Sequence, residues 1–328
     1  MDKVIQPCQP VVGAAFGQTA TLDLAIGPRY HAIWLEVIVD AASGVTLATT
    51  QTYLDKLISL IALKINGKVQ RAHSAFELDS IQKSYGDDFA ANAYNYAGSA
   101  INWSSGAYQG PQSGAITVFY IPIFLAEPWR KSYAATESMA WYTAWQDGST
   151  LRSFQMEITV PAIDAAVFDA GITINAYAET DTALGPLDAN KKPVALITKW
   201  NRLGIPYTGT GDLYIVTLPK QDVYLQISAF QATDPISAAK VKVDSRIVRD
   251  ITKARNDQTL IGRGMNESAM GEFRFDIVFD YSDLPTDGLV MQAGTQQVQD
   301  FQVVLTMATA SATSKIVSLV SQVYGGID

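Results

Sequence analysis

Leu63-Lys-Ile-Asn-Gly-Lys-Val69 and Val241-Lys-Val-Asp-Ser-Arg-Ile247 write one pattern twice. Both run aliphatic, Lys, aliphatic, Asn or Asp, small, basic, aliphatic, at an offset of 178. A short helical signal follows each copy. Ser74-Ala-Phe-Glu77 is a capping box, in which the Ser and Glu side chains satisfy orphan amides at a helix start. Ala75, Leu78, Ile81 and Tyr85 then recur at helical spacing up to Gly86, placed for a left-handed C-terminal cap. The second signal starts at Asp250, carries Ile251, Ala254 and Ile261, and ends at Gly262, the same twelve residues from cap to glycine.

Further out, the aromatic-rich segments Ile116–Pro128 and Phe273–Pro285 correspond at an offset of 157. Phe154-Gln-Met-Glu-Ile-Thr-Val160 is answered by Phe301-Gln-Val-Val-Leu-Thr-Met307 at 147. Markers in the same order point to one architecture used twice. The falling offset locates the extra residues of the first half. Nineteen lie between Gly86 and Ile116, in the Gly-, Ser- and Asn-rich stretch 87–115 that holds Phe89, Tyr94, Tyr96, Trp103 and Tyr108. A loop of that length is a contact surface or an excursion folded back on the body. Ten more fall near Met139–Thr150, with Trp141 and Trp145. A polar segment with Gly and Pro, Glu179–Pro193, reads as the seam. The expected domains are residues 1–182, with the long insertion 87–115, and 183–328.

Within both halves period-two alternation dominates, as in Ile33, Leu35, Val37 and Val39, Met156, Ile158 and Val160, and Phe273, Phe275, Ile277 and Phe279. Short runs of that kind bounded by Gly, Pro, Asn or Asp are half-buried strands. Many of them in succession predict an all-β sandwich or barrel rather than a parallel α/β sheet.

At 328 residues the chain exceeds what one core usually organises. With 48% hydrophobic and 17% charged residues it is no disordered chain, and so little charge implies surface hidden against other copies or partners. A net charge of −8 argues against bulk binding of nucleic acid. One cysteine, Cys8, makes no internal disulfide. No signal peptide or membrane-spanning run is read, so the expectation is a soluble protein made inside a cell.

Chemistry-bearing constellations are sparse. Two histidines, His31 and His73, and no Gly-x-Ser-x-Gly elbow leave nucleophilic catalysis unsupported. His31 shares the parity of Ile33 and Leu35 and reads as a core histidine, whereas His73, just before a helix cap, reads as solvated. One Cys and two His cannot make a structural zinc site. Asp280, Asp283 and Asp287 form a carboxylate cluster without EF-hand spacing, read as solvated turn residues with calcium left open. Lys240–Arg255 carries a local net of +4 and could face anionic lipid or nucleic acid, the plainer reading being a guarded strand edge. No catalytic, cofactor-binding or metal-ligating residue is nominated, and no cofactor.

A duplicated all-β unit with a short helix after a strand pair resembles the double jelly-roll major capsid proteins of tailless, membrane-containing viruses. That lineage includes the adenovirus hexon, and the nearest look is to the corticovirus-type coat proteins of phages. The resemblance rests on Leu63–Val69 leading into Ser74–Tyr85, on Tyr120-Ile-Pro-Ile-Phe124 before Trp129, on Asp283-Leu-Pro-Thr-Asp-Gly288 and on the terminal Val317–Tyr324 strand. It implies two tandem jelly rolls, each with a short flanking α-helix. It also implies a non-enzymatic coat protein whose pseudo-hexameric homotrimers build an icosahedral shell around an internal membrane and genome. Neighbouring capsomers, minor capsid proteins and membrane lipids would be its partners, without sequence-specific nucleic-acid binding. It would be made in the host cytoplasm and reside in the virion. Two readings stay beside it: a carbohydrate- or receptor-binding sandwich, with Trp103 and Tyr108 stacking on sugars, and a β-sandwich glycoside hydrolase using two carboxylates.

Overall fold

A computed structural model describes residues 3–41, 50–85, 94–95, 116–130, 132–208, 211–231, 235–265, 274–280, 284–293, 296–308 and 315–327. Two compact units emerge: residues 1–79, 87–197 and 327–328, and residues 80–86 with 198–326. No helix among the described residues is long and apolar enough to cross a membrane.

The first half contains strands β1 (Val4–Pro7), β2 (Thr19–Asp23), β3 (Arg29–Ala41), β4 (Leu60–Ile65), β5 (Lys68–His73), β6 (Tyr94–Asn95), β7 (Ile116–Phe124), β8 (Trp141–Tyr142), β9 (Phe154–Thr159) and β10 (Phe168–Asp181). Its helices are α1 (Thr50–Leu57), α2 (Ala75–Ser84) and α3 (Tyr133–Ser138). One sheet has the order β1-β10-β3-β7, and the other β5-β4-β9-β2. The second half contains β11 (Leu196–Tyr207), β12 (Gly211–Ile215), β13 (Val223–Phe230), β14 (Ile236–Val243), β15 (Arg246–Thr252), α4 (Lys253–Ile261), β16 (Arg274–Val278), β17 (Leu289–Val290), β18 (Gln292–Ala293), β19 (Gln296–Gln297), β20 (Phe301–Met307) and β21 (Lys315–Gly326). Its sheets run β11-β21-β13-β16 and β12-β20-β14-β15.

Setting aside the two-residue strands leaves eight in each half, lettered B to I in chain order. Both halves then have one sheet B-I-D-G and one C-H-E-F, which is the jelly roll. Alternation does the work expected of it. On β9, Phe154, Met156 and Ile158 point inward and the residues between them do not. The second core gathers Tyr224, Ile227, Phe275, Phe301, Val303 and Leu319.

The E–F hairpins repeat in detail. Ile65 pairs with Lys68 across Asn66 (φ 51°) and Gly67 (φ 82°), and Val243 pairs with Arg246 across Asp244 (φ 45°) and Ser245 (φ 65°). Two successive positive φ angles make each a type I′ turn, whose twist suits a two-residue hairpin. Each hairpin then has a bulge at the same place, with Gln70 extra in β5 and Val248 extra in β15. An aromatic tie also recurs. Tyr30, at the start of strand D, gives its hydroxyl to the Ala25 carbonyl (2.8 Å) and packs on Phe154 of strand H at 5.2 Å. Tyr224 gives its hydroxyl to the Pro219 carbonyl (2.7 Å) and packs on Phe301 of strand H at 4.9 Å.

The helices match less closely. The capping box of α2 forms reciprocally, with the Glu77 amide on Ser74 Oγ (3.1 Å) and the Ser74 amide on Glu77 Oε2 (2.7 Å). Expected from Asp250, α4 starts instead at Lys253, because β15 continues to Thr252 and Asp250 pairs with Lys240 across the hairpin (3.1 Å). Thr252 stands at its N-cap without a side-chain bond, and the buried residues are Asn256 and Leu260, while Ile261 is exposed. Residues 179–181 complete β10, and residues 182–193 of the Glu179–Pro193 segment follow within the first unit. Trp145 bonds the Val194 carbonyl through Nε1 (3.0 Å) and lies so close to Gly185 that a Cβ there would clash. Of the insertion 87–115, only Tyr94 and Asn95 fall within the described residues, paired with Val118 and Thr117; Gly86 and Phe273 fall outside them.

Candidate functional site

The strand order sets which edges each jelly roll presents. In each unit strand B ends one sheet and strand F ends the other. Strand F of the first unit, β5, buries Gln70, Arg71 and His73, and strand F of the second, β15, buries no residue. Strand B of the second, β11, buries Ile197, Thr198, Lys199 and Trp200, whereas β1 is exposed throughout. Aliphatic side chains stand bare on β1 and β15: Val4 (54%) and Ile5 (64%) on β1, Ile247 (57%) and Val248 (47%) on β15. The basic stretch 240–255 is this second edge, with Lys240 and Lys242 on β14 and Arg246 and Arg249 on β15. Edge lysines and arginines discourage pairing with arbitrary strands. In α4, Lys253 turns back onto Asp257 (2.6 Å).

A buried ion-pair knot lies elsewhere in the first jelly roll. Arg29 at the start of β3 donates from Nε to Asp181 Oδ1 (3.1 Å), from Nη2 to Asp181 and to Glu137 Oε2 (2.8 Å), and from Nη1 to the Tyr142 hydroxyl (3.3 Å). His31 Nε2 lies 2.9 Å from Asp181 Oδ2, and a carboxylate only accepts, so Nε2 carries the proton. Lys3 meets Glu137 Oε1 at 2.7 Å. Burial alone would raise the Asp181 carboxyl, but Arg29, the Ala183 amide and His31 hold it well below the ordinary carboxylate range. Glu137 is likewise lowered against its burial by Lys3, His31 and Arg29. Among the described residues His31, Glu137 and Asp181 are the one group close enough to share a cation, within 4.8 Å. Arg29 and Lys3 already supply positive charge to both carboxylates, so the knot is a fastener joining β3, α3, β8 and β10.

His31 thus lies in the core, as its parity requires. His73 does not lie in solvent: it is fully buried at the end of β5, with Nδ1 3.2 Å from the Ser74 carbonyl. Its position before a cap misled, because the capping box is itself buried. Burial pushes the Cys8 thiol up to about 11, the opposite of an activated thiol. Asp280 follows β16 and Asp287 closes the turn Pro285–Asp287; Asp283, Trp103 and Tyr108 lie outside the described residues. Sequence reading missed the knot, since Lys3, Arg29, Glu137 and Asp181 sit far apart in the chain. It also missed β1, whose four residues Val-Ile-Gln-Pro give almost no alternation to detect.

Two eight-stranded sandwiches in tandem, each B-I-D-G over C-H-E-F, define the class: this chain has the double jelly-roll fold. Residues 5–96 match the family model described as viral coat protein P2 N-terminal domain. The chain superposes on the major capsid protein P2 from bacteriophage PM2 with a TM-score of 0.65 at 16% identity, over 99% of its own length and 97% of that chain. It is similar also to the STIV major capsid protein, from Sulfolobus turreted icosahedral virus (TM-score 0.64, 12% identity, 100% and 97% covered). The PBCV-1 virus capsid gives a TM-score of 0.61 at 11% identity, with 98% and 94% covered. No curated protein matches the sequence. Nothing in these relatives supports the carbohydrate-binding or glycosidase readings.

Proposed function

We propose that this chain is a major capsid protein that assembles into pseudo-hexameric homotrimers and, through contacts between capsomers, into an icosahedral shell around an internal membrane and genome. The observation that carries this reading is the strand order itself, B-I-D-G and C-H-E-F, used twice in one chain. The match of residues 5–96 to a viral coat-protein domain supports it, as does full-length likeness to three viral capsid proteins. On this reading the chain divides into domains 1–182 and 183–328, with the connecting segment 183–197 grouped in the first compact unit, and it is a structural protein without catalytic, cofactor or metal residues. Minor capsid proteins and membrane lipids are its further partners, the host cytoplasm its place of synthesis and the virion its destination. Native mass spectrometry and electron microscopy of the purified protein test the reading. Trimers of sixfold-like outline are expected; a protein that stays monomeric at every concentration overturns it.

A further inference from the structure

We infer that the open edge β1 of one copy docks on the open edge β15 of a second copy, head to tail, and that this joint holds the oligomer together. The inference rests on the capsid reading and specifies which surfaces meet. The two jelly rolls have equivalent B and F edges, yet one F edge (β5) and one B edge (β11) carry buried residues while the other of each kind (β15 and β1) carries none. Of its B and F edges, each copy therefore offers one unlike pair that is open. A contact between unlike patches is heterologous, and every copy can make it twice, once through each edge.

The chemistry of the edges favours a strand of the same protein as occupant. Among the described residues β1 pairs with β10 alone and β15 with β14 alone, so within that set each is an edge strand whose outer side can take a further strand. Val4 and Ile5 on one edge and Ile247 and Val248 on the other give both an apolar component that a phosphate or lipid headgroup would leave exposed. Charge favours the contact over each copy as a whole. Beside β1 the acidic groups are Glu179, opposite Ile5 and 3.7 Å from Lys3, and Glu36, which accepts from Tyr120 and Asn175. The incoming hairpin brings Lys242, Arg246 and Arg249. With +4 in residues 240–255 of a chain at −8, the rest of each copy carries −12, so a second copy is an acidic partner for this edge.

Full-length protein carrying Ile5→Lys, Ile247→Glu, or both is the test, read by native mass spectrometry across a dilution series. Each single change buries an unpaired charge in the joint and should weaken association at least about tenfold. The double variant faces a lysine with a glutamate in every joint and should recover most of it. Hydrogen exchange on the unaltered oligomer gives an independent readout: amides of residues 4–6 and 246–252 should gain protection on assembly. A double variant weaker than either single one, single variants that assemble normally, or edges left unprotected in an intact trimer each overturn the joint while leaving the capsid reading standing. An unaltered protein that never associates overturns that reading first, and the joint with it.

Discussion

Hairpins β4–β5 and β14–β15 share a turn type, a bulge position and a place in the jelly roll, and they meet opposite environments. Strand β5, Lys-Val-Gln-Arg-Ala-His, is polar and largely buried. Strand β15, Arg-Ile-Val-Arg-Asp-Ile-Thr, is richer in aliphatic residues and bare. Backbone geometry here follows local rules, since two residues at positive φ and one extra residue fix turn and twist whatever lies alongside. Side-chain burial follows the neighbours. In β5 the Arg71 guanidinium, pushed down to about 9 by burial and opposed by Glu127, reaches the Phe124 carbonyl at 2.6 Å. An apolar edge outside and a polar edge inside reverses the usual pattern of a monomer, and that reversal is the contrast on which the proposed joint rests.

The equivalence of the two halves can be broken most decisively at strand H. Phe154 and Phe301 are buried at matching positions, each on the tyrosine of its own strand D. Phe154→Ala and Phe301→Ala should each cost about 3–5 kcal/mol in denaturant unfolding. A variant that loses under about 1 kcal/mol would mean that its phenylalanine is not the core element the repeat assigns it.

The ion-pair knot sharpens the contrast, because it involves residues of the first half alone. Asp181→Asn keeps the shape and removes the charge facing Arg29 and His31, so a loss of roughly 1.5–3 kcal/mol is expected. Both Asp181 and Glu137 titrate below their ordinary values in the folded chain. Groups depressed in this way contribute stability above the unfolded values, near 4, and that stability disappears as pH falls through the folded ones. Thermal melts from pH 6 downward should show it, with a shallower acid slope in Asp181→Asn. An unchanged slope would remove Asp181 from the account.

Much of this architecture was legible in the chain because it is written in periods and turns. The alternation of strand H and the capping box at Ser74 are local signals, and local chemistry fixes both. The offset between the halves also held a marker left unread. Leu24-x5-Tyr30 and Leu218-x5-Tyr224 place a buried tyrosine at the start of strand D in each half, at an offset of 194, and α1 lies in the stretch where that offset drops to 178. What could not be read depends on distance. Arg29 and Asp181 become partners only when β3 and β10 pair, 152 residues apart. The bareness of β15 is likewise no property of its composition, which matches many covered strands.

The two helices give a smaller contrast. Ser74→Ala removes a formed cap and should cost about 1 kcal/mol, whereas Thr252→Ala removes a side chain that caps nothing and should cost a few tenths at most. Equal losses in chemical denaturation would mean that Thr252 caps α4 in solution.

The finest difference lies in the turns. Asn66-Gly67 is the pair that a type I′ turn favours, and Asp244-Ser245 holds the same geometry with a serine at φ 65° where the first hairpin has glycine. Aspartate tolerates the left-handed region through its short polar side chain, and here Asp244 Oδ1 accepts from the Gln299 (2.8 Å) and Asp300 (3.0 Å) amides. Serine pays for its Cβ without such a return, since a side chain in that region crowds the following carbonyl. Ser245→Gly should therefore raise stability by up to about 1 kcal/mol, set against the greater freedom glycine gives the unfolded chain. The reciprocal Gly67→Ser should lower it by a similar amount. If Ser245→Gly destabilises instead, the unfolded-state entropy outweighs the strain, and the second hairpin owes its shape to Asp244 and its two amide bonds rather than to its turn pair.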